Sequence, residues 1–245
     1  MSEERVYRNW VDQGDLASFQ VTVKETDLMV HAAKDLADVT RDLVLKYRGY
    51  IESYIQTHPD FFKALNPWKI KGPAPIIIKD MAAAGERAGV GPMAAVAGAI
   101  TEHVGQDLLR HSSEVIIENG GDVFIKTHNA VTIGIFAGES PLSFNIGLRI
   151  DSGDKPISVC TSSGRVGHSL SFGKADAVCV VAKHCPLADA SATSIGNRVK
   201  SKKDINRAMD FGKKIKGVEG IVIIFADQVG FWGELEMIPL DVKKG

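Results

Sequence analysis

Cysteine is scarce in this chain: only Cys160, Cys179 and Cys185 occur. An odd number with no Cys-x-x-Cys pair argues against a disulfide framework or a thiolate zinc site, and reads as reduced thiols in a cytoplasmic protein. An excess of positive charge is also missing. Lys and Arg number 29 against 30 Asp and Glu, with no basic tract, so nucleic acid is not expected as a main partner. The longest apolar run, near residues 220–226, is too short to cross a bilayer. The first ten residues carry charges and no apolar stretch, so neither a secretory signal nor a membrane partner is expected. Three signatures are absent as well. Gly89-x-Gly91 lacks the third glycine of a dinucleotide fingerprint at position 94, and no P-loop sequence occurs. Residues 167–171, GHSLS, end in serine where a hydrolase elbow needs glycine.

What is present is enough apolar sequence for a substantial core: 245 residues, 44% hydrophobic. Residues 17–32 alternate with Phe19, Val21 and Val23 on one face, which predicts a strand. From about 33 to 57 the period changes, and Leu36, Leu43, Val44, Tyr47, Ile51 and Tyr54 form a helical stripe. A short helix is expected within 58–67. The segment 74–85 begins as a short apolar strand. A helix across 89–111 should start at Pro92 and bury Met93, Val96, Ile100, Val104 and Leu108. Strands follow at 113–118, 122–127, 131–137, 143–150 and 157–162, joined by connections so short that they demand antiparallel pairing. Another strand is expected at 175–182, then helices at 186–199 and 202–215, then strand, turn and strand. Within that end, 230–240 reads as a core strand rather than an interface edge. The element order predicts an α+β fold in a single domain, 1–245, with two pseudo-repeated halves at about 1–137 and 138–245.

Four stretches could carry chemistry. In residues 185–197, CPLADASATSIGN, Pro186 presets a helical turn and Asp189 is expected in that first turn, near the positive end of the dipole. Thr193 lies one turn further on the same face. A carboxylate and a hydroxyl stacked this way suit Mg²⁺ or Ca²⁺, and the small neighbours Ala190, Ala192 and Ser194 would let a ligand or another backbone approach. The plain structural alternative is an acid-favoured helix start packed tightly through small residues. Thr161, Ser162, Ser163 and Gly164 follow a strand, and their amides and hydroxyls could cradle phosphate, with His168 as a general base; a hairpin loop is the plain alternative. Asn119, Gly120, Gly121 and Asp122 make a strong hairpin signal, and the bare backbone would also let a flat or phosphorylated ligand lie close. The helix start at Pro92 could face an anion. His103, Asp107 and His111, spaced four apart, could form a metal strip but read better as a solvated polar face.

In order, these segments resemble the ApbE-type flavin transferase superfamily. The hallmark Ala-Asp-Ala-x-Ala-Thr stands as Ala188-Asp189-Ala190-Ser191-Ala192-Thr193. The Asn-x-Gly-Gly-Asp turn is matched, one residue shorter, by Asn119-Gly120-Gly121-Asp122, and the Thr-Ser-Gly turn, with one extra serine, by Thr161-Ser162-Ser163-Gly164. The resemblance implies duplicated β-β-α-α-β-β (T-fold-like) halves with antiparallel sheets. It implies FAD or a related dinucleotide bound between the halves, Mg²⁺ held by Asp189 and Thr193, a catalytic role for His168, and transfer of FMN to a threonine of an acceptor protein. It also departs from the family. The His-x-x-Asp-Pro-x-Thr-Gly element is missing after His168, and Ala97-Gly98 stands where the family has lysine-glycine. A divergent cytoplasmic branch is therefore expected, free to oligomerise. The rival functions are a flavin- or nucleotide-binding module without transfer, and a metal-dependent phosphoester or pyrophosphate hydrolase.

Overall fold

The computed structural model describes residues 16–164 and 172–240. Strands β1 (Ala17–Val23) and β2 (Thr26–Ala32) form a hairpin where one strand was expected. The chain reverses at Lys24, which adopts φ +53, and the alternation runs through the turn because both strands bury the same face. Helix α1 (Ala37–Thr57) buries Val44, Tyr47, Ile51 and Tyr54 as its stripe requires, and α2 (Pro59–Lys63) is a short turn around Phe61. The segment expected to begin as a strand is helix α3 (Ile76–Ala88). Three consecutive isoleucines favour a strand locally, but Ile77, Ile78, Met81, Ala84, Gly85 and Ala88 form one buried helical face, and burial outweighs propensity. Pro92 opens a 3₁₀ turn, Pro92–Ala95, that runs into α4 (Val96–Leu108). There Ile100, Val104 and Leu108 are buried as expected, whereas Met93 and Val96 are only partly so.

The strands β3 (Val115–Asn119), β4 (Asp122–Lys126), β7 (Ile157–Ser162), β8 (Ala177–Ala182), β9 (Val218–Phe225) and β10 (Gln228–Gly233) join β1 and β2 in one antiparallel eight-stranded sheet, ordered β1-β2-β3-β4-β7-β8-β9-β10. Helices α5 (Cys185–Gly196) and α6 (Ile205–Gly212) connect β8 to β9. A smaller sheet, β11-β6-β5, is made of β5 (Val131–Gly134), β6 (Ile146–Ile150) and β11 (Glu236–Pro239). The stretch 230–240 is thus not a core strand. It is split between the edge of the large sheet, where Phe231 is exposed, and the small one. Alternation along the strands sorts the core into three clusters. One lies between β1–β4 and α1, α3 and α4, and a second between β7–β9 and α5 and α6. The third lies between the two sheets.

Candidate functional site

Helix α5 is buried nearly all round. Ala190 belongs to the first cluster, while Ala188, Ala192 and Ile195 belong to the second. The small residues of this helix therefore meet protein: they let α5 wedge between the two helix-side cores. It approaches α4 closely. A Cβ on Gly98 would lie 2.5 Å from the Cys185 carbonyl oxygen and 2.9 Å from the Asp189 Cβ, so only glycine permits this crossing.

At the crossing each helix caps the other. Neither α4 nor α5 has a side-chain cap of its own. The Gly98 N–H, one of the unsatisfied donors of the first turn of α4, donates to Asp189 Oδ2 at 2.9 Å. The Cys185 N–H, at the start of α5, donates to Glu102 Oε2 at 2.5 Å, and His184 Nδ1 lies 3.2 Å from the other Glu102 oxygen. Asp189 is therefore not in the first turn of its own helix, which holds no acid; it serves the first turn of its neighbour. Asn119 joins the same knot, its Nδ2 donating to the Ala97 carbonyl at 3.2 Å, an oxygen that also accepts the Thr101 hydroxyl at 2.7 Å.

Asp122 sits beneath this crossing. It pairs with Cys160 across β4 and β7, and both side chains point to the helix face of the sheet. Asp122 is 5% exposed and in contact with Asp189. Burial pushes its carboxyl well above the usual range; the Asp189 charge adds to this and a hydrogen bond from the Cys160 thiol opposes it. Burial also pushes Asp189 up to about 7, against the amides of Gly98 and Ala97 and the hydrogen bond from Asp122. Both carboxyls are thus held above the ordinary range, and the contact between them favours keeping a proton on the pair at neutral pH. Cys160 and Cys185 close the floor with sulfurs 3.5 Å apart, both thiols raised by burial, Cys185 to about 11.

Of the residues singled out from sequence, Asn119, Asp122 and Asp189 meet here, and Thr193, 9% exposed, lies one turn along α5. Gly120 (φ +63) has no atom within 4 Å of where a Cβ would stand and borders open space. Gly121 accepts the Thr161 N–H at 3.1 Å, which brings the two glycine-rich turns side by side. The Thr161 side chain, however, bonds Cys179 on the opposite face of the sheet. Ser162, Ser163 and Gly164 are half-buried beyond it, and Gly164 donates to the Ala175 carbonyl at 2.9 Å. His168 lies outside the described residues. The supposed metal strip is dispersed: His103 pairs with Asp80 at 2.8 Å, and Asp107 bonds Tyr47 at 2.7 Å and Lys46 at 3.0 Å. These bonds tie α4 to α3 and α1, so His103 and Asp107 form a polar helix interface instead of a solvated face. Glu102 was missed, Gly98 was noted only through the family's lysine-glycine pair, and Cys160 and Cys185 only as free thiols, because nothing local connects these residues to Asp189. A cleft of about 700 Å³ opens elsewhere, lined by Arg149, Asp151, Glu219 and Glu234 among others, and no predicted site residue borders it.

Among the described residues no group of three or more His, Cys, Asp or Glu is placed to hold a metal ion. Asp122 and Asp189 offer two hard-oxygen carboxyls in contact, the donor type a divalent cation such as Mg²⁺ takes, and Thr193 lies one helical turn beyond Asp189. Two acids in contact at neutral pH need either a shared proton or a cation between them.

This antiparallel α+β architecture is that of the ApbE proteins. The structure aligns with the apo flavinyl transferase ApbE of Pseudomonas stutzeri at a TM-score of 0.55 and 15% identity, covering 89% of this chain and 94% of that one. An ApbE protein of Thermotoga maritima aligns at 0.55 and 14%, covering 90% and 97%. The chain belongs to the family described as AbpE bacteria, whose model matches residues 8–231. Its relatives include a UPF0280 protein of Methanococcus aeolicus, 40% identical over 231 residues and covering 91% of this chain and 93% of its own. Another, from Methanocella arvoryzae, is 38% identical over 217 residues, 88% of each chain.

Proposed function

We propose that this protein binds FAD or a related dinucleotide with Mg²⁺ at the α4–α5 crossing and transfers FMN to a threonine of an acceptor protein. The observation that carries the reading is the contact of Asp122 with Asp189, two acids from distant parts of the chain, beside the open backbone of Gly120. On this reading Asp122, Asp189 and Thr193 hold the cation, and the turns 119–122 and 161–164 receive the phosphates. A bound divalent ion would neutralise charge on the pyrophosphate oxygens as they separate. The Gly98 amide keeps the Asp189 carboxylate aimed, the Cys160 thiol does the same for Asp122, and His168 takes the proton of the acceptor hydroxyl. The two ββ-helices-ββ sets of the large sheet, β1–β4 and β7–β10, are read as the duplicated halves of one domain, working in the cytoplasm.

Two observations favour a second reading, binding without transfer. Asp189 already serves as a helix cap for α4, and Ala97 stands at the position of the family's lysine. Incubation of the purified protein with FAD, Mg²⁺ and candidate acceptors separates the readings. AMP release with covalent flavin on an acceptor threonine supports transfer. AMP and FMN without labelling indicate a hydrolase, and flavin binding with neither product indicates a carrier. If neither flavin nor metal binds, the proposal fails.

A further inference from the structure

We propose that the α2–α3 connection is a docking surface for an anionic membrane. Three large apolar side chains in this short stretch face solvent: Phe62 is 57% exposed, Leu65 58% and Ile76 59%. Single exposed apolar residues are ordinary on a protein surface; three so near one another in sequence, on a stretch this short, are less so. They alternate with Lys63, Lys69, Lys71 and Lys79, all exposed, and residues 61–79 contain no acid; of the flanking acids, Asp80 is paired with His103 and Asp60 is exposed, so the stretch keeps a net positive charge in a chain whose formal net charge is −1. None of the four lysines has an ion-pair partner among the described residues.

The surface is held rigid from beneath. Phe61 is fully buried and meets Tyr54 and Trp68 edge-on, at 5.0 and 5.8 Å between ring centres. Ile70 and Ala74 pack on the first core cluster. The backbone at Ala64 and Leu65 rests on Gly91, where any Cβ would run into the Ala64 carbonyl. Pro67, Pro73 and Pro75 restrict the remaining backbone. Phe62 and Leu65 are therefore presented outward with little ordering left to pay.

The composition selects the partner. Protein–protein interfaces concentrate Tyr, Trp, Phe, Met and Arg and are poor in lysine, and here four lysines stand against the single exposed aromatic Phe62. Lysines interleaved with Phe, Leu and Ile are the pattern of a segment that rests in the headgroup region, its apolar side chains just below the surface and its cations among anionic headgroups. No described helix is long and apolar enough to cross a membrane, so the contact is peripheral.

Co-sedimentation of the full chain with vesicles tests this. Vesicles of phosphatidylcholine containing one third phosphatidylglycerol should pellet the protein at low salt, raised salt should release it, and phosphatidylcholine alone should not retain it. Lys69→Gln and Lys71→Gln should each weaken binding about fivefold. Phe62→Ser with Leu65→Ser should abolish it while leaving the melting temperature in place. Lys155→Gln, an exposed lysine elsewhere, should change nothing. Equal pelleting on neutral vesicles, or wild-type binding by the Phe62/Leu65 variant, overturns the proposal. So does saturable binding of a polyglutamate peptide with no pelleting on either vesicle, which would point to an acidic protein. Flavin and metal binding play no part in the readout, so the outcome stands apart from the proposed transferase reading.

Discussion

Replacing Asp189 by asparagine should make the metal-free protein more resistant to alkaline pH, although it removes a proposed metal ligand. Burial lifts the Asp189 carboxyl from 3.8 to about 7. The folded protein therefore keeps a proton that the unfolded chain has already lost. The stabilisation is complete below about 4 and disappears as pH rises through about 7. Between pH 5 and 8 this one group should cost the wild type roughly 2–3 kcal/mol, or roughly 5–10 °C in Tm for a domain of this size. Asp122, raised for the same reason, acts in the same direction. The carboxamide of the Asp189→Asn variant keeps an oxygen to accept the Gly98 N–H and carries no charge. Melting curves followed by circular dichroism with EDTA present should show the two proteins close at pH 5 and the variant ahead at pH 8. Mg²⁺ should then raise the wild-type Tm at pH 8 and leave the variant unmoved. Parallel pH profiles for the two proteins would refute the reasoning, since they would mean that Asp189 ionises in the fold as easily as in water.

Three further substitutions probe the same crossing. Gly98→Ala drives a methyl into the Cys185 carbonyl and should cost about 1–3 kcal/mol, seen in urea unfolding, together with any metal-dependent gain in Tm. Glu102→Ala removes the cap of α5 and should cost ~1 kcal/mol at pH 7, with Glu102→Gln recovering part of it in the same unfolding assay. Thr193→Val should leave the metal-free Tm nearly unchanged but weaken Mg²⁺ binding by about tenfold or more in calorimetric titration.

Much of the fold was legible because strands and hairpins write themselves locally. The turn at Asn119–Asp122 is read from Asn-Gly-Gly alone, and β7 from a short run set off by turn residues. Where local signals conflict with burial, reading from sequence fails. Ile76–Ile78 carry a strand's composition inside a helix, and the edge strand β10 carries a core strand's composition at the surface. The site was half legible. Asp122 and Asp189 stood out as acids next to unusual backbone, but their contact with each other and the Gly98 amide that Asp189 accepts could not be read from either stretch. The hydrogen bond that occupies Asp189 reaches 91 positions back along the chain, to a glycine whose local sequence gives no hint of that partner.

Sequence alone thus determined the alternation of antiparallel strands with amphipathic helices, the proline start of α5 and the small residues along it. These depend on periodicity and backbone preference within a few residues. Only the tertiary structure decided that α4 and α5 cross at Gly98, that each caps the other, and that two acids come into contact. Those outcomes depend on how closely two helices can approach and on how little water reaches the contact. Neither quantity belongs to any single stretch of chain.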